Sequence, residues 1–153
     1  MNVSSEKMMK EIGKNIGLSL RGGEVIELIG DVGVGKTTFM KGLGAGLGVA
    51  EDISSPSFTI SRVYGTPDQR TLHHYDFYRL PDPGIMVHEI DEITRDNKAV
   101  VCIEWADSIR RVLPDSTIRI SFAYGETADQ RNISIETSGA QRYVQDAIEG
   151  SSR

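Results

Sequence analysis

The segment Gly30-Asp31-Val32-Gly33-Val34-Gly35-Lys36-Thr37 fits the pattern G-x-x-x-x-G-K-[ST] at every fixed position. No other feature constrains the chain as much, because each fixed residue type answers a need of phosphate binding. Glycines permit backbone angles and a closeness of approach that a side chain would block. Successive backbone N–H groups then converge on phosphate oxygens, and a helix opening at Lys36 adds the positive end of its dipole. Lys36 brings a mobile cation to the terminal phosphates, and the Thr37 hydroxyl is a ligand for magnesium. The pattern follows the strand-like run 24–29 and precedes a helical stretch over 36–47, the placement the chemistry requires. ATP with Mg2+ is the expected ligand, its phosphates surrounded by Gly30, Asp31, Val32, Gly33, Val34, Gly35, Lys36, Thr37 and Thr38.

Around this loop the sequence alternates strands and helices. Ser4 and Ser5 precede Glu6, Met8, Met9, Ile12, Ile16 and Leu18, a helical spacing behind an N-cap, within an N-terminal helical segment 1–21 that Gly22-Gly23 ends. Gly42, Gly44 and Gly46 weaken the helix over 36–47, and their regular placement points to close packing on the sheet. Strands are predicted over 58–64 and 70–76, with a turn at Pro67-Asp68. A short helix follows over 85–95, then the apolar strand 99–104 of the kind buried on both faces. Strands over 117–123 and 131–137, a helix over 141–148 and a frayed tail at 150–153 complete the chain. The expected architecture is α/β and of the P-loop NTPase kind, with three layers. Its central sheet should be mainly parallel with antiparallel edge strands, and residues 1–153 should form one domain.

A nucleotide-bound metal needs a second side, usually an acidic residue at the end of another strand. Asp76 follows Thr71-Leu72-His73-His74-Tyr75, and Glu104 follows Val100-Val101-Cys102-Ile103. In an open parallel sheet ligands gather outside the carboxyl ends of the strands, so both carboxylates are expected to converge on the loop. Asp76 is assigned to magnesium, directly or through water. Glu104 is assigned to orienting the attacking water or aiding the metal, so Thr37, Asp76 and Glu104 form the candidate metal set. A charge directly after a buried apolar strand needs a partner, which sets Glu104 apart from a solvated carboxylate. His73 and His74 are adjacent on a strand and so face opposite ways, and structural packing is the expectation for both.

The chain carries 22 acidic and 17 basic side chains, a net charge of −5. That balance argues against a domain whose main work is coating nucleic acid. The only cysteine, Cys102, lies inside an apolar run and reads as a buried thiol. No apolar run is long enough for a membrane span, the first 21 residues lack a signal-peptide pattern, and a cytoplasmic location is expected.

Four stretches taken in order resemble the TsaE (YjeE) family. They are 30–38, Ser55-Pro56-Ser57-Phe58-Thr59, His74-Tyr75-Asp76-Phe77-Tyr78-Arg79-Leu80, and Ile103-Glu104-Trp105, with Val112-Leu113-Pro114 following. The resemblance implies a Mg2+-dependent ATPase that is weak alone and needed for threonylcarbamoyl modification of the adenosine beside the anticodon of tRNAs. It implies that TsaD with TsaB performs the transfer, from an intermediate made by TsaC. The ATPase resets that complex and meets tRNA only through it. By position, Lys36 and Thr37 match the phosphate and magnesium ligands, Asp76 the acidic residue near the metal, and Glu104 the glutamate important for hydrolysis. Ser57 stands at a loop position that is usually threonine. Trp105 and Arg79 match family positions, and packing or an ion pair is an equal reading for each. By weaker resemblance, Glu6 and the turn near Arg131 border the adenine. The segment 83–89 departs from the family, which usually has acidic residues and a glycine there.

Two other classes compete. A small-molecule or nucleoside kinase would need a lid of arginines, for which only Arg110-Arg111 is available. A nucleotide-switched binding module would need no essential hydrolysis at all. A GTPase is disfavoured because Asn97-Lys98 is followed by Ala99 and Val100, not by the aspartate that reads guanine.

Overall fold

The computed structural model describes residues 1–56, 60–78, 82, 84 and 86–151. Its organising element is the strand Ala99–Glu104, whose six residues are all buried. A strand that is apolar on both faces must be covered on both sides, and it sits near the middle of a seven-stranded sheet. In chain order the elements are β1 (Asn2–Val3), α1 (Glu6–Ser19), β2 (Val25–Ile29), α2 (Lys36–Leu47), β3 (Ser61–Gly65) and β4 (Thr71–Asp76). Then come α3 (Met86–Ile93), β5 (Ala99–Glu104), β6 (Ile118–Tyr124), β7 (Arg131–Glu136) and α4 (Arg142–Ser151), with short 3₁₀ turns after β5 and before α4.

The strand order is β1-β7-β6-β2-β5-β4-β3. The inner four, β6, β2, β5 and β4, are parallel, and β3, β7 and β1 add antiparallel edges. Alternation along the strands then builds two cores. Ile26 and Leu28 of β2 and Val100 and Cys102 of β5 face α1, α2 and α4. Val25, Val101 and Ile103 face the other way, onto Ile90 of α3 and Ile109 of a 3₁₀ turn. Cys102 is fully buried and its thiol is pushed well above the ordinary range by that burial, as a packing role requires.

Several boundaries differ from the sequence expectations. Strand β1 is only two residues long, too short for a periodic signal, and is held by pairing with β7. Residues 57–59 lie outside the described residues, so the expected strand over 58–64 is seen only as Ser61–Gly65. Helix α4 continues to Ser151, where fraying is expected, and 152–153 lie outside the described residues. Leu18, placed on the apolar face of α1 by its spacing, is 64% exposed.

The glycines of α2 do not pack on the sheet. A Cβ at Gly42 would lie 2.1 Å from the Lys10 carbonyl oxygen and one at Gly46 2.2 Å from that of Lys14, so these residues admit α1. Gly13 and Gly17 of α1 do the same in return against Phe39 and Leu43. Gly44 instead faces Ile53. The two helices whose N-termini flank the loop are thereby locked backbone to backbone.

Beyond β2 no helix among the described residues covers the second face of the sheet. Arg119, Asn132, Ser134 and Glu136 are exposed there, the ordinary pattern of an antiparallel half-sheet. At its border the buried Glu27 carboxylate accepts hydrogen bonds from Arg110 and Arg119, which meets the need of a buried charge for partners.

Candidate functional site

Strand β2 ends at Ile29 and the chain turns through 30–35 into α2. Two glycines make that turn possible. Gly35, the N-cap of α2, has φ of 118°, in the left-handed region. At Gly30 a Cβ would come within 2.9 Å of the Phe122 carbonyl oxygen and 2.8 Å of Val34 Cγ1. The loop is braced from β6 and β7: Tyr124 donates to the Val32 carbonyl at 3.3 Å, and Arg131 Nε donates to that of Val34 at 3.0 Å. The Arg131 guanidinium also lies 4.6 Å from the Tyr124 ring centroid.

Lys36 is 6% exposed, and its ammonium donates to the Gly30 carbonyl of its own loop. It lies 3.8 Å from Glu104 Oε1 and 4.6 Å from the centre of the Trp105 ring. Trp105 holds φ of 57°, a left-handed conformation that costs a bulky residue energy and marks the end of β5 as a constrained corner. Its ring lies 4.8 Å from that of Tyr78.

Parallel pairing of β4 with β5 sets Asp76 opposite Glu104. Burial pushes the Asp76 carboxyl above the ordinary aspartate range; the Tyr78 N–H bond opposes that rise, and the Glu104 charge adds to it. One Asp76 oxygen accepts the Tyr78 N–H at 2.9 Å. Glu104 has found the partners that its buried position demands: Lys36 on one oxygen and, on the other, His74 Nε2 at 2.7 Å. His74 is therefore part of the site and not packing alone. Alternation carried the signal, since residues two apart on a strand share a face, and His74 stands two before Asp76.

A cavity of about 320 Å³ gathers Lys36, Thr37, Ser55, Asp76, Glu104 and Trp105 around the loop. A second, of about 500 Å³, lies between the start of α1 and the β6–β7 turn, bounded by Ser5, Glu6, Met9, Asp129 and Arg131. The two share Gly33, Gly35 and Thr38. Lys36, Thr37, Asp76 and Glu104 are thus together, and Glu6 and Arg131 both line the adjoining cavity. Trp105 borders the first cavity, away from Glu6 and Arg131. Ser57 and Arg79 lie outside the described residues.

Among the described residues no group of three or more His, Cys, Asp or Glu side chains forms a metal cage. Magnesium on a nucleotide needs none: one or two protein oxygens complete a shell of waters and phosphate. The Thr37 hydroxyl and the paired carboxylates of Asp76 and Glu104 are oxygen donors of that kind. The raised Asp76 carboxyl beside a second carboxylate is the charge pattern that a hard cation relieves.

These features define an α/β protein on a mixed seven-stranded sheet, with a glycine-rich loop and two acidic strand ends at the carboxyl edge of its parallel strands. A family model described as "Threonylcarbamoyl adenosine biosynthesis protein TsaE" matches residues 3–133, and the chain belongs to the TsaE family, which takes part in tRNA threonylcarbamoyladenosine biosynthesis. The tRNA threonylcarbamoyladenosine biosynthesis protein TsaE of Streptomyces coelicolor is 34% identical over 135 residues, covering 86% of this chain and 91% of that protein. That of Bacillus subtilis is 36% identical over 115 residues, covering 72% and 68%. A crystal structure of YdiB from Bacillus subtilis superposes with a TM-score of 0.75 at 30% identity, covering 100% of this chain and 93% of that one. No helix among the described residues is long and apolar enough to cross a membrane.

Proposed function

We propose that this chain is a Mg2+-dependent ATPase of the P-loop NTPase fold. On this reading it supports threonylcarbamoyl modification of tRNA by resetting a TsaD–TsaB complex through ATP binding and hydrolysis. The observation that carries the reading is the convergence of Lys36, Thr37, Asp76 and Glu104 on a loop cavity that shares Gly33, Gly35 and Thr38 with a second, larger one. A triphosphate along the loop places the base toward Glu6 and Arg131. Membership of the TsaE family supplies the tRNA pathway, and the partners are those the sequence resemblance implies.

The residues divide the work by charge. Lys36 leaves the Gly30 carbonyl for the terminal phosphates, exchanging a neutral acceptor for an anionic one. Loop N–H groups and the start of α2 stabilise negative charge on the transferred group. Thr37 and Asp76 would hold magnesium, which neutralises the phosphate oxygens when bound. Glu104 Oε1, aimed at the loop, accepts a hydrogen bond from the water that attacks the γ-phosphorus. The bond to the bridging oxygen then breaks, ADP departs with the electron pair, and the proton of the attacking water ends on the phosphate released. Arg110, one of the two arginines available for a kinase lid, is committed to Glu27 and Asp107.

The test is ATP hydrolysis by the purified chain, alone and with TsaB and TsaD. Slow turnover that rises with the partners, and falls by at least about 100-fold in Lys36→Ala, is expected. ATP bound without a partner effect, or phosphate passed to an added nucleoside, would overturn the assignment.

A further inference from the structure

His74 is fully buried in β4, one of the few polar side chains in the α1–α2 core. Its Nε2 lies 2.7 Å from Glu104 Oε2. An ionised carboxylate only accepts, so the ring nitrogen donates. The opposite nitrogen, Nδ1, is buried with no hydrogen-bond partner among the described residues. A buried polar atom without a partner costs stability. Packing alone gives no reason for a histidine here, and among the described residues the hydrogen bond its ring makes is to Glu104. That contact divides the carboxylate: Oε2 is anchored from inside the sheet, and Oε1 is left 3.8 Å from Lys36 on the cavity side. Without the anchor, the side-chain torsions of Glu104 are free to close the remaining distance to Lys36. Both groups would then be withdrawn from a nucleotide.

We propose that His74 is a positioning residue whose Nε2–H fixes Glu104 so that its free oxygen faces the phosphate end of the loop cavity. The proposal rests on Glu104 orienting the attacking water.

The test compares hydrolysis, Mg-ATP affinity and thermal stability in wild type, His74→Phe, His74→Gln, His74→Asn and Glu104→Gln. The double variant His74→Phe with Glu104→Gln completes the set. The His74→Phe chain should lose about 10- to 100-fold in kcat, with Kd for Mg-ATP changed less than about 3-fold; Tm should fall as the buried Glu104 loses a partner, so kcat is read well below the melting transition. The Gln amide reaches the place of Nε2 and should restore most of kcat. The Asn amide reaches only the place of Nδ1 and should not. In the Glu104→Gln background, His74→Phe should cost nothing further. A wild-type kcat in His74→Phe, an equal further loss in the Glu104→Gln background, or better rescue by Asn than by Gln would overturn the proposal. An inactive wild type, with and without partners, would instead sink the ATPase reading and the proposal with it.

Discussion

At Asp76 the demands of folding and of chemistry pull apart. Its carboxyl is raised chiefly by burial, with the Glu104 charge adding to the shift. A raised folded pKa means that the folded chain binds this proton more tightly than the unfolded one. The associated stability is present at low pH and is lost as pH rises through the folded value. Above the folded value the ionised group therefore opposes folding. In Asp76→Asn the side-chain oxygen still accepts the Tyr78 N–H while the charge is gone. Melting without divalent cation should then show Tm raised by about 1–3 °C, modest because the half-buried site is screened. Mg2+-dependent hydrolysis should fall in the same variant. A lowered Tm with hydrolysis retained would show that Asp76 serves the fold.

Among the elements, the contact of α1 with α2 bears most directly on the site, since the loop opens α2 and the second cavity lies against the start of α1. Alanine at Gly42 would improve helix propensity by about 1 kcal/mol. Its Cβ would sit 2.1 Å from a backbone oxygen that has no rotamer to escape into, and overpacking of that kind costs about 1–3 kcal/mol or more. Steric conflict wins, so Gly42→Ala should unfold at lower urea concentration with net destabilisation of about 1–2 kcal/mol; unchanged stability would deny the close approach.

Helix α4 is tied down by Tyr143, whose hydroxyl donates to Glu24 at 2.7 Å and is pushed up to about 12 by burial and that bond. This stability is complete below about pH 10, the unfolded value, and is lost as pH rises toward 12. Wild type should exceed Tyr143→Phe in Tm at pH 8, and the gap should close between pH 10 and 12. A gap independent of pH would assign Tyr143 to packing alone.

The elements themselves were largely legible, because apolar alternation and glycine placement are local signals. What escaped was pairing across long separations. Spacing in α2 shows that its glycines leave room, but not that α1 fills it. The Arg110–Glu27 and Arg131–Val34 contacts join residues 83 and 97 apart. His74 meets Glu104 only because β4 lies beside β5. A buried charge after an apolar strand announces that it needs a partner, and the sheet order chooses which.

Over the whole molecule, β2, β5 and β4 lie side by side and parallel, so their carboxyl ends bring the loop, Glu104 and Asp76 to one edge. That arrangement explains why groups from positions 36, 76 and 104 lie together, with His74 behind them. The central claim is that Glu104-dependent hydrolysis, and not nucleotide binding alone, resets the partner complex. It is tested most directly by following tRNA modification in the reconstituted system over many turnovers, with Glu104→Ala replacing the wild-type chain. The variant should bind ATP, allow about one round per complex and then stall, while wild type continues. Sustained modification with Glu104→Ala at the wild-type rate would contradict the claim and leave the chain a nucleotide-operated switch.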